Sequence, residues 1–137
     1  MRKLFLTLAL VVGISASAQN IKYEWLDKPE SIESVTVISR GSDPANVVTR
    51  FSLAFARQGV KAKAQTNHGE NVTINSDSVK SDYAITFQYY INGYGQCLQL
   101  QASVIDVRDG SIVGVFEWGG IRRFKKVVPA MVTAMLK

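Results

Sequence analysis

The residues whose types and spacing could do chemistry are concentrated in residues 104–114, which have the sequence VIDVRDGSIVG. Asp106 and Arg108 lie two positions apart, so on a continuous strand they would share a face and form an ion pair. Asp109 and Gly110 are typical of a tight hairpin turn, because both residue types accept a positive φ. A catalytic role would require a third group and a pocket, and the sequence indicates neither. We therefore interpret this stretch as a turn between two strands.

The chain has one histidine, His68, and one cysteine, Cys97. His68 lies in a polar loop, and a zinc site would need more nitrogen or sulfur ligands. Cys97 cannot form an internal disulfide and lies in an apolar run, which indicates a buried structural cysteine. There is no phosphate-binding loop, dinucleotide fingerprint or nucleophile elbow. We expect no catalytic residue, metal or cofactor; an enzyme would require a concave pocket that gathers two or more of Asp82, Asp106, Glu117 and His68.

A basic cluster precedes the last predicted helix: Arg122, Arg123, Lys125 and Lys126. Positive charge at a helix N-terminus opposes the helix dipole. These residues therefore either lie before the helix or meet acids or an anionic partner. The candidate partners are lipid headgroups, an acidic polysaccharide or a protein, and the alternative is a solvated loop face. We name these four residues as the candidate partner-binding site.

Residues 1–18 have the three parts of a secretory signal peptide. Arg2 and Lys3 give a positive start, residues 4–14 are apolar, and residues 16–18 form an A-x-A cleavage site. We expect cleavage after Ala18, export to the periplasm and a single domain over residues 19–137. Cleavage lowers the formal charge from +5 to +3, since the leader has no acids. That balance does not indicate a nucleic-acid partner, and no other segment predicts a membrane span.

The elements that must position these residues follow from the hydrophobic pattern. Residues 23–26 predict a short strand or packed arm, and residues 34–39 and 60–65 predict strands. The stretch 44–58 predicts a helix, with Asp43 as N-cap, Pro44 in the first position and Gly59 as the stop. Residues 83–91 alternate with Tyr83, Ile85, Phe87, Tyr89 and Ile91 on one face, and two further alternating strands surround the Asp109-Gly110 turn.

The C-terminal residues predict a second amphipathic helix that begins near residue 125 or 126, with Pro129 in its first turn. The order of elements predicts an α+β fold, namely a two-layer sandwich. We expect a mixed, mostly antiparallel sheet of about four to five strands, with both helices packed on one face. The first strand–helix–strand unit predicts a parallel crossover, and the last three strands a meander.

Aromatic side chains support an alternative function. A groove that binds a small apolar or glycan ligand between sheet and helices would use residues of this kind, although they are more often packed in the core. The residues concerned are Tyr83, Tyr89, Tyr90, Tyr94, Phe116 and Trp118.

The last sixty residues resemble a known envelope pattern. The run SDYAITFQYYI, then LQLQASVIDVRDGSIVGVFEW, then an amphipathic helix is similar to the amino-terminal module of the TolB family and to the periplasmic module of curli-secretion-channel lipoproteins. In those families an acid opens a strand, as Asp82 does here. A later strand ends in hydrophobic-D-x-x-x-G, which Asp106 and Gly110 match.

The resemblance implies a non-enzymatic interaction or assembly module of the bacterial cell envelope. The chain lacks the lipid-attached cysteine of the lipoproteins and the propeller of TolB, so neither membrane anchorage nor a Tol partner follows. We therefore expect an envelope protein as partner, without naming it or the oligomeric state.

Overall fold

A computed structural model describes residues 21–66 and 73–137. The predicted signal peptide and His68 lie outside these residues. The described elements are β1 (Ile21–Trp25), β2 (Ser34–Ser39), α1 (Val47–Arg57), β3 (Lys61–Thr66), β4 (Tyr83–Ile91), β5 (Cys97–Asp106), β6 (Ser111–Arg122) and α2 (Phe124–Met135).

The strands form one mixed sheet in the order β1-β6-β5-β4-β2-β3. Strand β2 is parallel to both β3 and β4. Strands β4, β5 and β6 form an antiparallel meander, and β1 joins its far edge antiparallel to β6. The predicted α+β sandwich is confirmed, including the parallel unit. The sheet has six strands rather than four to five, because residues 21–25 form an edge strand.

The main core lies between one sheet face and the two helices. Phe51 and Phe55 of α1, Met131 of α2, and Phe116 and Trp118 of β6 all belong to this hydrophobic cluster and are fully buried. Truncating such side chains typically costs about 3–5 kcal/mol. Within the described residues this layer is filled by side chains, so the helices are fixed on the sheet by apolar burial.

Trp25 closes the edge of this core beside Gly114. A Cβ built on Gly114 would lie 2.6 Å from a ring carbon of Trp25, so only glycine lets the indole approach the β6 backbone this closely. The Trp25 ring also meets Phe116 edge-on, with ring centroids 5.1 Å apart. This packing holds β1 on the sheet.

The first helix begins later than the pattern predicts. Residues Asp43 to Asn46 form a turn in which the Asn46 N–H donates to the Asp43 carbonyl. Asn46 then adopts a left-handed conformation with φ of 53°, and α1 starts at Val47. Pro44 therefore lies before the helix. Asp43 still caps it, because its carboxylate accepts the N–H groups of Val47 and Val48 at 2.8 and 2.9 Å.

The second helix begins slightly earlier than predicted, at Phe124, with Arg123 as N-cap. Pro129 is consequently in the second turn rather than the first. Its missing N–H leaves the carbonyl of Lys125 without the usual intrahelical partner. The Thr133 hydroxyl donates to the Pro129 carbonyl at 3.0 Å, which is an ordinary back-bond of a helical threonine.

Both helices run in the same direction and define two ends of the molecule. The Tyr94 end contains the β4–β5 loop, the last residues of β6 and the first turns of α1 and α2. The Asp106 end contains the β5–β6 turn and the starts of β2 and β4. Gln58, just after α1, donates to Thr133 in the later part of α2, which confirms the common direction.

Candidate functional site

At the Asp106 end, the predicted ion pair forms, but within a turn. The carboxylate of Asp106 accepts the Arg108 Nε at 3.1 Å, a terminal guanidinium nitrogen at 2.7 Å and the Arg108 backbone N–H at 3.0 Å. Asp106 is 7% exposed, whereas Arg108 extends into solvent. The hydrogen bonds from Arg108 lower the pKa of Asp106. Both oxygens of the carboxylate are thus engaged in holding the turn.

The predicted hairpin between β5 and β6 is present, with a loop longer than Asp109 and Gly110 alone. Asp106 and Ser111 are the last paired residues, so residues 107–110 form a four-residue loop. Only Gly110 has a positive φ, at 74°, and its N–H donates to the Asp106 carbonyl at 2.8 Å. Asp109 instead accepts the backbone N–H and hydroxyl of Ser111. The side chains of Arg108 and Asp109 thus both hold the loop through local hydrogen bonds.

The remaining acids do not complete an active site. The carbonyl of Asp82 accepts a hydrogen bond from the Val107 N–H. Burial is the main cause that raises the pKa of Tyr83, and the negative charges of Asp106 and Asp82 raise it further. These two acids therefore lie at the same end, but Arg108 neutralises Asp106. Glu117 lies along the sheet and accepts a bond from Gln99. In residues 21–66 and 73–137, no three histidine, cysteine or acidic side chains could hold a metal ion.

At the Tyr94 end, the four predicted basic residues are exposed around the start of α2. Arg123 and Lys125 line an open groove of about 300 Å³ together with Arg50 of α1 and Tyr94 of the β4–β5 loop. The one ion pair found in the described part of the chain is Arg108–Asp106, so none of these cations is paired with a carboxylate there. The residues Arg50, Arg122, Arg123, Lys125 and Lys126 are called the cationic group below.

Apolar side chains are exposed at the same end. Tyr94 is 91% exposed, Tyr90 67% and Ile121 65%, and Ile91 and Leu98 are also partly in solvent. Tyr94 belongs to a braced loop, because the Asn92 side-chain oxygen accepts the N–H groups of Tyr94 and Gln96 at 3.0 Å each. A fixed loop therefore presents an aromatic ring to solvent beside the cationic group.

The positive dipole ends of the two helices at this end differ in whether an acid lies beside them. In α1, the Asp43 carboxylate caps the helix and also accepts the Tyr89 hydroxyl at 2.6 Å. Burial and this hydrogen bond raise the pKa of Tyr89 to about 12. In α2, no side chain caps the first turn and no acid lies in it. Lys125 and Lys126 thus add to the positive end of the α2 dipole.

Sequence reasoning found four members of the cationic group but missed Arg50, and it named Tyr94 only as a candidate for an aromatic ligand groove. A signal for the group was present, because residues 44–69 and 118–137 contain no acid. The aromatic residues named for a ligand groove differ in burial. Phe116 and Trp118 are buried in the core, Tyr83 and Tyr89 are half-buried, and Tyr90 and Tyr94 are exposed.

Cys97 is fully buried at the start of β5, as predicted. Burial raises the pKa of its thiol to about 11, so at neutral pH it is a thiol rather than a nucleophilic thiolate. A second groove, of about 500 Å³, lies at the Tyr94 end, where residues 39–42 and 44, at the end of β2 and after it, meet residues 87–91 at the end of β4. Tyr89 and Tyr90, two of the aromatic residues named for a ligand groove, line it, and ligand binding there stays a prediction.

Comparisons with known proteins identify relatives in fold. No known family model matches the chain, and no curated protein matches it either. A single-residue variant of the PelC dodecamer from Paraburkholderia phytofirmans aligns over 85% of this chain and 98% of its own, with 10% identity and a TM-score of 0.59. PelC shares this fold. A second PelC dodecamer structure aligns over 84% and 94%, with 12% identity and a TM-score of 0.54.

TolB from Acinetobacter baumannii is also among the similar structures, with 12% identity and a TM-score of 0.49. The alignment covers 84% of this chain and 31% of TolB. TolB, whose amino-terminal module the residues resemble, is thus among the similar structures, and the shared fold is shown by PelC. None of the helices in the described ranges combines the length and apolar character that a membrane span needs.

Proposed function

We propose that this protein is an exported, non-enzymatic assembly module of the bacterial cell envelope, which works in the periplasm as part of an oligomer. The observation that carries the proposal is the likeness to PelC, which covers nearly all of a chain that forms a dodecamer. In a ring of identical chains, one surface of each chain binds a different surface of the next chain. In the described sheet, β1 and β3 are the two edge strands and each pairs on one side only, which supports repeated edge contacts.

Export is supported by the signal-peptide pattern of residues 1–18, with cleavage after Ala18. A non-enzymatic role is supported by the engagement of the Asp106 carboxylate with Arg108 and by the protonated, buried Cys97. Envelope proteins are the partners that this location offers for assembly. The cationic group, with Arg122, Arg123, Lys125 and Lys126, is the surface we assign to binding an anionic component of the envelope.

The proposal is tested by crosslinking in intact cells, followed by mass spectrometry, and by light scattering of the purified protein. We expect crosslinked multiples of this chain together with envelope proteins, and a mass in solution that is several times that of one chain. Recovery of monomer alone by both methods would overturn the proposal. N-terminal sequencing of the exported protein should begin at Gln19.

A further inference from the structure

We propose that the Tyr94 end docks on a bilayer that contains anionic lipids, through the cationic group and the exposed Tyr90, Tyr94 and Ile121. This inference rests on the proposed function, because it names the partner of the surface assigned there. The bilayer is an anionic partner that requires no fixed pattern of contacts, so cations from several elements at one end of the molecule can bind it together.

Charge complementarity is the first argument. Five exposed cations meet at this end, and two helix dipoles point their positive ends there as well. Asp43 compensates α1, but α2 has neither a cap nor an acid in its first turn. An uncompensated positive region costs stability in the free protein and attracts an anionic surface.

The combination of apolar and cationic side chains is the second argument. Five of the nine exposed large hydrophobic residues of the described chain are at the Tyr94 end: Tyr90, Ile91, Tyr94, Leu98 and Ile121. Tyrosine rings prefer the headgroup level of a membrane, and long basic side chains reach the phosphates around them. A soluble polyanion would use the cations but would give an exposed isoleucine no favourable contact.

The third argument is that the surface is already formed in the free protein. Asn92 fixes the loop that carries Tyr94, and the Arg50 Nε donates to the Ala45 carbonyl at 3.0 Å. Ordering these side chains therefore costs less on docking than it would in a flexible loop. The mode is shallow, interfacial binding of one end, as in proteins that lie on a bilayer.

The first test is flotation of the purified protein with vesicles of phosphatidylcholine alone and with vesicles that also contain phosphatidylglycerol. We expect binding to the anionic vesicles only, weakened by salt. The double variant Arg123→Gln/Lys125→Gln should lose roughly five-fold in affinity per charge, and Tyr94→Ser should weaken binding as well. The matched control Lys28→Gln/Lys61→Gln removes the same charge at the Asp106 end and should bind as the wild type does.

Three results would overturn the inference: equal binding to both vesicle types, equal losses in the control variant, or vesicle binding that Tyr94→Ser leaves unchanged. The last result, together with binding to a soluble acidic polysaccharide, would instead indicate a soluble polyanion. Light scattering of the same variants separates this inference from the proposed function. A multimer that ignores vesicles refutes only the docking, and a monomer that binds them refutes only the assembly.

The second test locates the contact. Because Cys97 is buried and protonated, a new surface cysteine can be labelled selectively with a polarity-sensitive dye. With saturating anionic vesicles, dye on Tyr94→Cys should shift to shorter emission wavelength, while dye on Lys28→Cys should not. Equal shifts at both positions, or no shift at position 94, would contradict docking by this end.

Discussion

The two ends of the molecule treat charge in opposite ways. At the Asp106 end a buried carboxylate is bonded to an arginine and to the turn backbone, so its charge stabilises local structure. At the Tyr94 end five cations surround a helix start and none has a carboxylate partner within the described residues. A charge that is paired within the chain, such as that of Asp106, indicates a structural role. A group of charges without such partners indicates a binding surface.

The comparison predicts its largest effect at Asp106. Asp106→Ala removes a buried acceptor of three hydrogen bonds from Arg108, one of them from the backbone. We expect a loss of about 3 kcal/mol in the free energy of unfolding, since hydrogen bonds to charged groups contribute about 1.5–3 kcal/mol. Urea denaturation of the variant and of Asp109→Asn, an exposed neighbour, measures the difference.

The same residue sets a pH dependence. The folded-state pKa of Asp106 is lowered, so its stabilisation is complete above the unfolded pKa of about 3.9. It is lost as the pH falls through the folded pKa. The difference between wild type and Asp106→Ala should therefore be constant near neutral pH and shrink below about pH 4. A constant difference down to pH 2 would contradict the assignment.

A smaller loss of stability is expected at Tyr89. Its hydroxyl links β4 to the residues that precede α1. Tyr89→Phe removes the bond to Asp43 at 2.6 Å and the bond from the Ala45 N–H at 3.1 Å. We expect a loss of about 2 kcal/mol by urea denaturation, with little effect on vesicle binding, because the cationic group is untouched.

Tyr89 also predicts how the free energy of unfolding changes at alkaline pH. The folded pKa is raised to about 12, above the unfolded value of about 10. The contribution of the phenol is thus present below pH 10 and is lost between about pH 10 and 12. Wild type should lose stability in that window relative to Tyr89→Phe, and parallel curves would show that the phenol titrates normally.

A matched pair of glycines compares the two loops directly. Gly110 at the Asp106 end and Gly95 at the Tyr94 end have φ of 74° and 75°. An added Cβ costs about 1–2 kcal/mol in this conformation. At Gly110 it would also lie 3.4 Å from the Ile74 carbonyl, whereas at Gly95 nothing is within 4 Å. By urea denaturation Gly110→Ala should therefore cost at least as much as Gly95→Ala; the reverse order would contradict the described loop geometries.

Local patterns predicted most of the elements, because each depends on residues close in sequence. The alternation over residues 83–91 predicted β4 with its observed bounds. The predicted inward face was only partly right, since Ile85 is fully buried while Phe87 is half-buried and Ile91 is exposed. How far a strand extends beyond the helices that cover it is set by tertiary packing, which periodicity does not contain.

The candidate site was predictable in part for the same reason. Arg122 to Lys126 are contiguous, so their position at a helix start followed from the pattern around them. Arg50 joins them only because α1 and α2 pack side by side in one direction, and Tyr94 only because the β4–β5 loop reaches the same end. The turn before α1, with its left-handed Asn46, is also tied to the sheet by the Asp43–Tyr89 bond, a contact between residues 46 positions apart that local patterns do not contain.

The smallest predicted effect separates stability from binding at the Tyr94 end. Lys125→Glu places an acid in the uncapped first turn of α2, where it favours the helix dipole. The free energy of unfolding should rise by about 0.3–1 kcal/mol at low ionic strength, and salt should reduce the gain. The same variant should bind anionic vesicles less well than wild type. A control, Thr133→Glu in the later part of α2, has no favourable dipole position and should not gain stability. If Lys125→Glu were destabilising, an unrecognised acid would have to meet Lys125, and the cationic group would be a structural feature like the Asp106 turn.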